Sequence, residues 1–318
     1  MILTCAMHLF STAFLLYLHG FLLALVALGS ADSDVDFMSV RAKFLKDYSG
    51  KGGEPGEKYF ICLELHRNLF HYHYDGRFAE EPLPEEDTIP HLAALIQTYL
   101  STMADLGAET WIMHGTLLAW WWNQKIFPWD NDLDVQVTEP TIHFLAEYYN
   151  MTEHHFELPG VDGGRNYLLE INPQYVVRTT EDAANVIDAR WIDTSSGLFI
   201  DITAVRKDDE LRKKGQQGAL MCKDGHRFDE TDIFPLRNSY FEDFPVKVPY
   251  KYTDLLVEEY GSKALTTVDF QGHHFNEDTK IWEQTNWLIS QLPERNEDFH
   301  GSEDPSLSPS GPRRYPIV

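Results

Sequence analysis

The sequence predicts an α+β fold, a mixed sheet core flanked by helices, and three observations carry that reading. Apolar residues at Ile89, Leu92, Ala93, Ile96, Tyr99, Leu100, Met103 and Leu106 keep the three-and-four spacing of one long amphipathic helix. Short β-branched and apolar runs, among them Leu133 to Val137, Tyr167 to Ile171 and Leu198 to Val205, have the length of buried strands. No internal repeat separates the two kinds, so strands and helices share one core. With 318 residues, 13% of them aromatic, the chain has the length and apolar bulk to bury it.

Met1 to Leu28 is strongly apolar and carries no Lys or Arg, and the small residues Gly29-Ser30-Ala31 then precede acidic Asp32-Ser33-Asp34. Residues 1–31 read as a cleaved signal peptide or as an anchor through residues 1–28. Either delivers the chain to the secretory pathway, in the ER or Golgi lumen, membrane-held or secreted. Residues 32–86 read as an N-terminal extension closed by the polar run Pro82-Leu83-Pro84-Glu85-Glu86. The long helix opens near Thr88 and Pro90 and stops at Gly107. Glu109 to His114 is expected as a strand, Gly115-Thr116 as a turn, Leu117 to Asn123 as a short helix and Leu133 to Val137 as the next strand. Beyond them, Ile142 to Tyr149 reads as helix, and Tyr167 to Ile171 and Tyr175 to Arg178 as strands around Asn172-Pro173. Arg190 to Asp193 and Leu198 to Val205 read as strands, Asp208 to Gly218 as a charged loop, and Tyr252 to Tyr260 as a helix stopped by Gly261. The main domain is expected over residues 87–292, and the Ser-, Pro- and charge-rich residues 293–318 as a disordered tail.

A formal net charge of −24 offers no basic field and excludes nucleic acid as a partner. An anionic substrate would have to be held by a cation and a few placed arginines. Cys5 lies in the leader, which leaves Cys62 and Cys222 as one disulfide or two free thiols. No cysteine pair has zinc spacing, and neither a Gly-x-Ser-x-Gly nor a P-loop pattern occurs.

The chemistry concentrates in His114-Gly115-Thr116-Leu117-Leu118 followed by Trp129-Asp130-Asn131-Asp132-Leu133-Asp134. Asp130, Asp132 and Asp134 alternate, so on a strand they share one face. Such repulsion calls for a cation, and hard oxygen donors suit Mg²⁺ or Mn²⁺. Gly115 and Thr116 open a helix, a cradle for phosphate. Asp201, amid Phe199, Ile200 and Ile202, would complete the metal site or accept a proton. Strand, Gly-Thr, short helix, alternating acids and a later strand acid come in the order used by the nucleotidyltransferase fold. Blander readings stand beside these. The triplet could be a surface loop or a helix cap, and Asp201 could simply pair with Arg190 or Arg178. Lys125, Arg178 and Arg190 are candidates for phosphate or for salt bridges. Trp120 to Trp122 read mainly as core, and His114 as a satisfied structural residue.

These residues resemble the LicD family, which includes bacterial phosphocholine transferases and the animal fukutin-related ribitol-phosphate transferases. Ala189-Arg190-Trp191-Ile192-Asp193 with Gly197-Leu198-Phe199-Ile200-Asp201-Ile202 resembles its second block, and Asp232-Ile233-Phe234-Pro235-Leu236 with Glu259-Tyr260-Gly261 its third. His73-Tyr74-Asp75-Gly76-Arg77-Phe78 and the triple tryptophan resemble its fungal branch, linked to mannosylphosphate addition on cell-wall mannan. The resemblance spans Pro90 to Gly261. It implies a nucleotidyltransferase-like fold, a divalent Mg²⁺ or Mn²⁺ ion, a nucleotide-activated donor and a glycan acceptor. Asp132, Asp134 and Asp201 are then the expected catalytic residues, with Asp130 among the metal ligands. Because Gly115 is farther from Asp132 than in most nucleotidyltransferases, Asp130 and Asp132 stand as an alternative metal pair. A sugar-phosphate transferase, an ordinary metal-dependent glycosyltransferase and a non-catalytic regulator all remain open at this point.

Overall fold

The computed structural model describes residues 58–60, 62–65, 69–180 and 182–285. The apolar leader and the C-terminal tail lie outside the described residues. Among the described residues no helix is long and apolar enough to cross a membrane.

A hairpin of β1 (Cys62–Leu65) and β2 (Leu69–Asp75) precedes α1 (Glu85–Leu106), β3 (Thr110–Ile112), α2 (His114–Asn123), β4 (Leu133–Thr138) and α3 (Glu139–Tyr148). Four strands follow: β5 (Thr152–Phe156), β6 (Arg165–Ile171), β7 (Ala189–Asp193) and β8 (Phe199–Lys207). Then come α4 (Asp209–Lys213), β9 (Ala219–Met221), β10 (Arg227–Asp229), α5 (Glu230–Ile233), β11 (Arg237–Phe241), β12 (Phe244–Val248) and α6 (Tyr252–Tyr260). A small sheet of β13 (Asp269–Phe270), β14 (His273–Asn276) and β15 (Ile281–Gln284) ends the described chain.

The architecture is α+β, as the sequence predicts. Strands β5 to β8 form an antiparallel meander, β4 joins β8 in parallel, and β3 pairs antiparallel with β4. Helix α1 buries the three-and-four face, with Leu92, Leu95, Ile96 and Tyr99 fully enclosed. Each such side chain contributes about 1.5–3 kcal/mol of burial. The Trp191 indole of β7 donates to Thr98 Oγ1 at 3.2 Å and ties sheet to helix. Gly107 ends the helix in the left-handed region at φ 68°, its amide bonding back to the last turn.

Several local expectations are corrected. His114 does not end a strand; β3 stops at Ile112 and His114 opens α2 at φ 53°, a left-handed backbone uncommon outside glycine. Tyr175 to Arg178 is not a strand. Pro173 presets a 3₁₀ turn over Pro173–Val176, and the Asn172 side chain accepts the Gln174 amide at 2.9 Å. The charged loop after Asp208 contains α4, capped by Asp208 on the Leu211 amide. Cys62 and Cys222 are both free buried thiols.

The chain before α1 packs on the sheet. The Asp75 amide donates to Gly197 O at 2.8 Å, and Arg77 bridges the buried carboxylates of Asp75 and Glu170. Tyr59 O–H adds a 2.8 Å bond to Glu170.

Candidate active site

The acids gather where β4 starts. Only Asp134 lies within that strand; Asp130 and Asp132 stand in the turn leading into it, which corrects the single strand face expected for all three. Parallel pairing sets Asp134 opposite Asp201, and antiparallel pairing sets Asp201 opposite Arg190. The turn sets Asp130 close enough to Asp132 for each to perturb the other. Helix α2 fixes the strand from below: Thr116 Oγ1 accepts the Asp134 amide at 2.8 Å, and the Met113 amide donates to Asp134 O at 3.1 Å. The Thr116 hydroxyl thus anchors the acidic strand. An added Cβ at Gly115 would meet nothing within 4 Å, so open space lies over the helix entrance there.

Electrostatics follow from this crowding. Burial, then the charge of Asp132, holds the Asp130 carboxyl well above the ordinary range. Asp134 is pushed up in the same way, by burial and then by Asp132, Asp201, Asp130 and Glu259. Burial acts on Asp132 in the same direction, but His73 outweighs it with a hydrogen bond and charge, and the carboxyl is lowered. His73 Nδ1 lies 3.2 Å from Asp132 Oδ2. Like charges this close are tolerated when a cation joins them, and the donor set is hard oxygen, which suits Mg²⁺ or Mn²⁺.

Arg190 alone of the three candidate cations reaches the cluster, with Nε on Asp201 Oδ1 at 2.7 Å. Asp201 thus pairs with Arg190, as one of its two readings expects, and stands opposite Asp134 in the strand register. Lys125 instead meets Asp243 at 2.6 Å and Glu242 at 3.4 Å, in the turn between β11 and β12. Arg178 binds Glu139 and Asp209 at 2.8 Å each. It also reaches the carbonyl of Lys207, the last residue of β8. Lys207 lies six positions beyond Asp201 along the strand, about 20 Å away. The structure does not bring Lys125 or Arg178 to the aspartates.

Sequence reasoning missed a second group of side chains beside the first. His114 Nδ1 lies 2.8 Å from Glu259 Oε1, and His226 lies 3.1 Å from Asp224 and 3.8 Å from the same Glu259 oxygen. His114, His226 and Glu259 each offer one ligand atom, all within 4.8 Å of one another. A hydrogen-bond relay gives His114 another task. Trp111 Nε1 donates to Gln136 Oε1 at 3.1 Å, which turns the Gln136 amide nitrogen toward His114 Nε2 at 3.4 Å. Nε2 then accepts, and the Nδ1 proton goes to Glu259. Binding a cation through Nδ1 would remove that proton and set two donors face to face. The Tyr260 hydroxyl is pushed up by burial and then by Glu259, with further contributions from Asp134 and Asp132. Glu259 and Tyr260 were visible only as part of a sequence block, and nothing in the local pattern marks His226.

Trp120 to Trp122 serve packing. Trp122 donates to Ala264 O at 3.0 Å and lies edge-on to Phe275 and Trp282.

A mixed sheet, a Gly-Thr helix entrance and aspartates gathered at the start of β4 and within β8 make up this site. Residues 107–251 match the family described as LicD/FKTN/FKRP, nucleotidyltransferase domain. The chain is also similar to two proteins of Saccharomyces cerevisiae (strain ATCC 204508 / S288c). Mannosyltransferase regulator 4 is 34% identical over 137 residues, 42% of this chain and 12% of that protein. Mannosyltransferase regulator 14 is 31% identical over 154 residues, 45% of this chain and 16% of that protein. The similarity therefore spans less than a fifth of either relative.

Proposed function

We infer that this protein is a metal-dependent transferase that moves a sugar phosphate, mannose phosphate above all, from a nucleotide-activated donor to a glycan in the secretory pathway. The observation that carries this reading is the pairing of Asp134 with Asp201 across adjacent parallel strands, with Asp132 beside them. Asp132, Asp134 and Asp201, with Asp130 behind them, would hold a divalent cation. When bound, it supplies positive charge to the phosphoryl oxygens and the leaving group. Arg190 holds Asp201 in place through Nε. The first amides of α2, with open space at Gly115, can receive an anionic oxygen of the donor. The acceptor hydroxyl attacks the sugar-bearing phosphorus and yields its proton to a carboxylate of the cluster. A nucleoside monophosphate leaves.

A regulatory reading has one specific observation in its favour: both yeast relatives are named as mannosyltransferase regulators. Product analysis separates the two. Purified protein with Mn²⁺, guanosine-diphosphate mannose and a mannan oligosaccharide should leave phosphorus and a hexose on the acceptor. No phosphorylated product from the pure protein, with restored mannosylphosphorylation when it is added to a deficient lysate, would establish the regulator instead. A hexose added without phosphorus would point to an ordinary glycosyltransferase.

A further inference from the structure

We propose that the cavity between the chain preceding α1 and the loop before β7 is the subsite for the hexose of a hexose 1-phosphate unit, with Arg190 Nη1 donating to its phosphoryl oxygen. The proposal rests on the transfer reading above and deepens it by naming where the transferred sugar sits.

The cavity holds about 280 Å³ and is lined by Phe60, Tyr72, His73, Ala184, Arg190 and Asp201 among others. Ligand sites for larger molecules run from about 300 to 1,000 Å³. This one is large enough for a single sugar ring. It shares a wall with the acidic cluster, because Asp201 pairs with Asp134 and His73 contacts Asp132.

Arg190 gives the cavity its chemical character. The residue is 4% exposed, and its guanidinium lies 3.5 Å from the Phe199 ring centroid and 4.6 Å from that of Phe60. Nε is spent on Asp201, while Nη1 is buried with no hydrogen-bond partner among the described residues. A buried donor left without an acceptor is unfavourable, so an incoming acceptor is favoured there. Guanidinium groups match phosphoryl oxygens in charge and planarity. An oxyanion placed between Arg190 and the cation carboxylates meets both needs. The group attached to it then enters the cavity, where Phe60 and Tyr72 offer aromatic faces and the Lys58 ammonium stands 6.0 Å from the Tyr72 ring.

Calorimetric titration of the purified protein in Mn²⁺ with mannose 1-phosphate, inorganic phosphate and free mannose tests this. Mannose 1-phosphate should bind at least tenfold more tightly than either fragment. Ala184→Trp fills the cavity, and Tyr72→Ala removes an exposed wall without touching the core. Each should reduce the advantage over inorganic phosphate to within about twofold, with inorganic phosphate and Mn²⁺ binding unchanged. Equal binding of mannose 1-phosphate and inorganic phosphate to the wild type overturns the proposal, as does an advantage that survives both variants or no binding of any probe. Intact hexose 1-phosphate preference without glycan phosphorylation would instead refute the transferase reading and leave the subsite standing.

Discussion

Asp134 is fixed through its backbone, by Thr116 on the amide and Met113 on the carbonyl, so its carboxyl cannot turn away from Asp132 and Asp201. Asp134→Asn and Asp132→Asn should each lower transfer at least a hundredfold and abolish the rise in melting temperature that Mn²⁺ gives the wild type. At 100 times its dissociation constant a ligand contributes about 2.7 kcal/mol, a readily measured shift. Without metal, Asp134→Asn should be more stable than wild type by about 1 kcal/mol, because a crowded acid is removed. Equal Mn²⁺-induced shifts in wild type and variants would rule out the metal assignment. His154 offers a separate pH signal. Burial against Trp191 lowers its pKa to about 4. The unfolded chain takes up this proton near pH 6.5, before the folded one does. Its contribution is therefore whole above pH 6.5 and falls away toward pH 4, by about 2 kcal/mol at pH 4.5. Urea titrations at pH 7 and 4.5 on wild type and His154→Gln should show a smaller pH dependence in the variant.

Among the elements, the strand before α1 docks against one glycine whose close approach leaves no room for a side chain. Gly197 sits at φ 80°, and an added Cβ would lie 2.7 Å from Ala79 Cβ and 2.9 Å from Asp75 O. The Asp75 amide donates to Gly197 O, two residues from His73 and its bond to Asp132. Gly197→Ala should cost about 2 kcal/mol through backbone strain and lost docking. It should also expose residues 72–79 to limited proteolysis well before the sheet unfolds. Unchanged cleavage with full activity would show that the docking does not depend on this contact. The long helix α1, β4 and β8 were all legible from apolar periodicity, which reports directly on burial. The 3₁₀ turn at Pro173 was not, because Tyr175, Val176 and Val177 carry strand propensity that Pro173 and the Asn172 side chain override.

Across the whole molecule, a buried ion triad holds the sheet together. Asp188 accepts from Arg206 Nη2 at 2.8 Å and from Lys223 at 2.9 Å, and all three residues are almost completely buried. Asp188 also accepts the Ala204 amide at 2.8 Å, so one carboxylate joins the entry to β7, strand β8 and the segment after β9. Asp188→Asn strands two buried cations and should destabilise by about 3–5 kcal/mol. Chemical denaturation measures this directly, and a loss under 1 kcal/mol would show that solvent reaches the triad.

By itself the sequence determined the α+β class, the main helix, the strands that carry Asp134 and Asp201, and the closeness of Asp130, Asp132 and Asp134. Those features arise from local periodicity and from charges a few residues apart, and short-range physics leaves its mark in the order of residues. Tertiary structure alone decided which distant groups meet them. Arg190 reaches Asp201 through strand register, whereas Arg178 is carried to the far end of β8. His73 arrives from a strand that docks beside Gly197, and Glu259 comes from α6, 145 residues beyond His114 in the chain. Such contacts depend on the packing of whole elements, whose free energy is spread over many buried side chains and is written in no single motif.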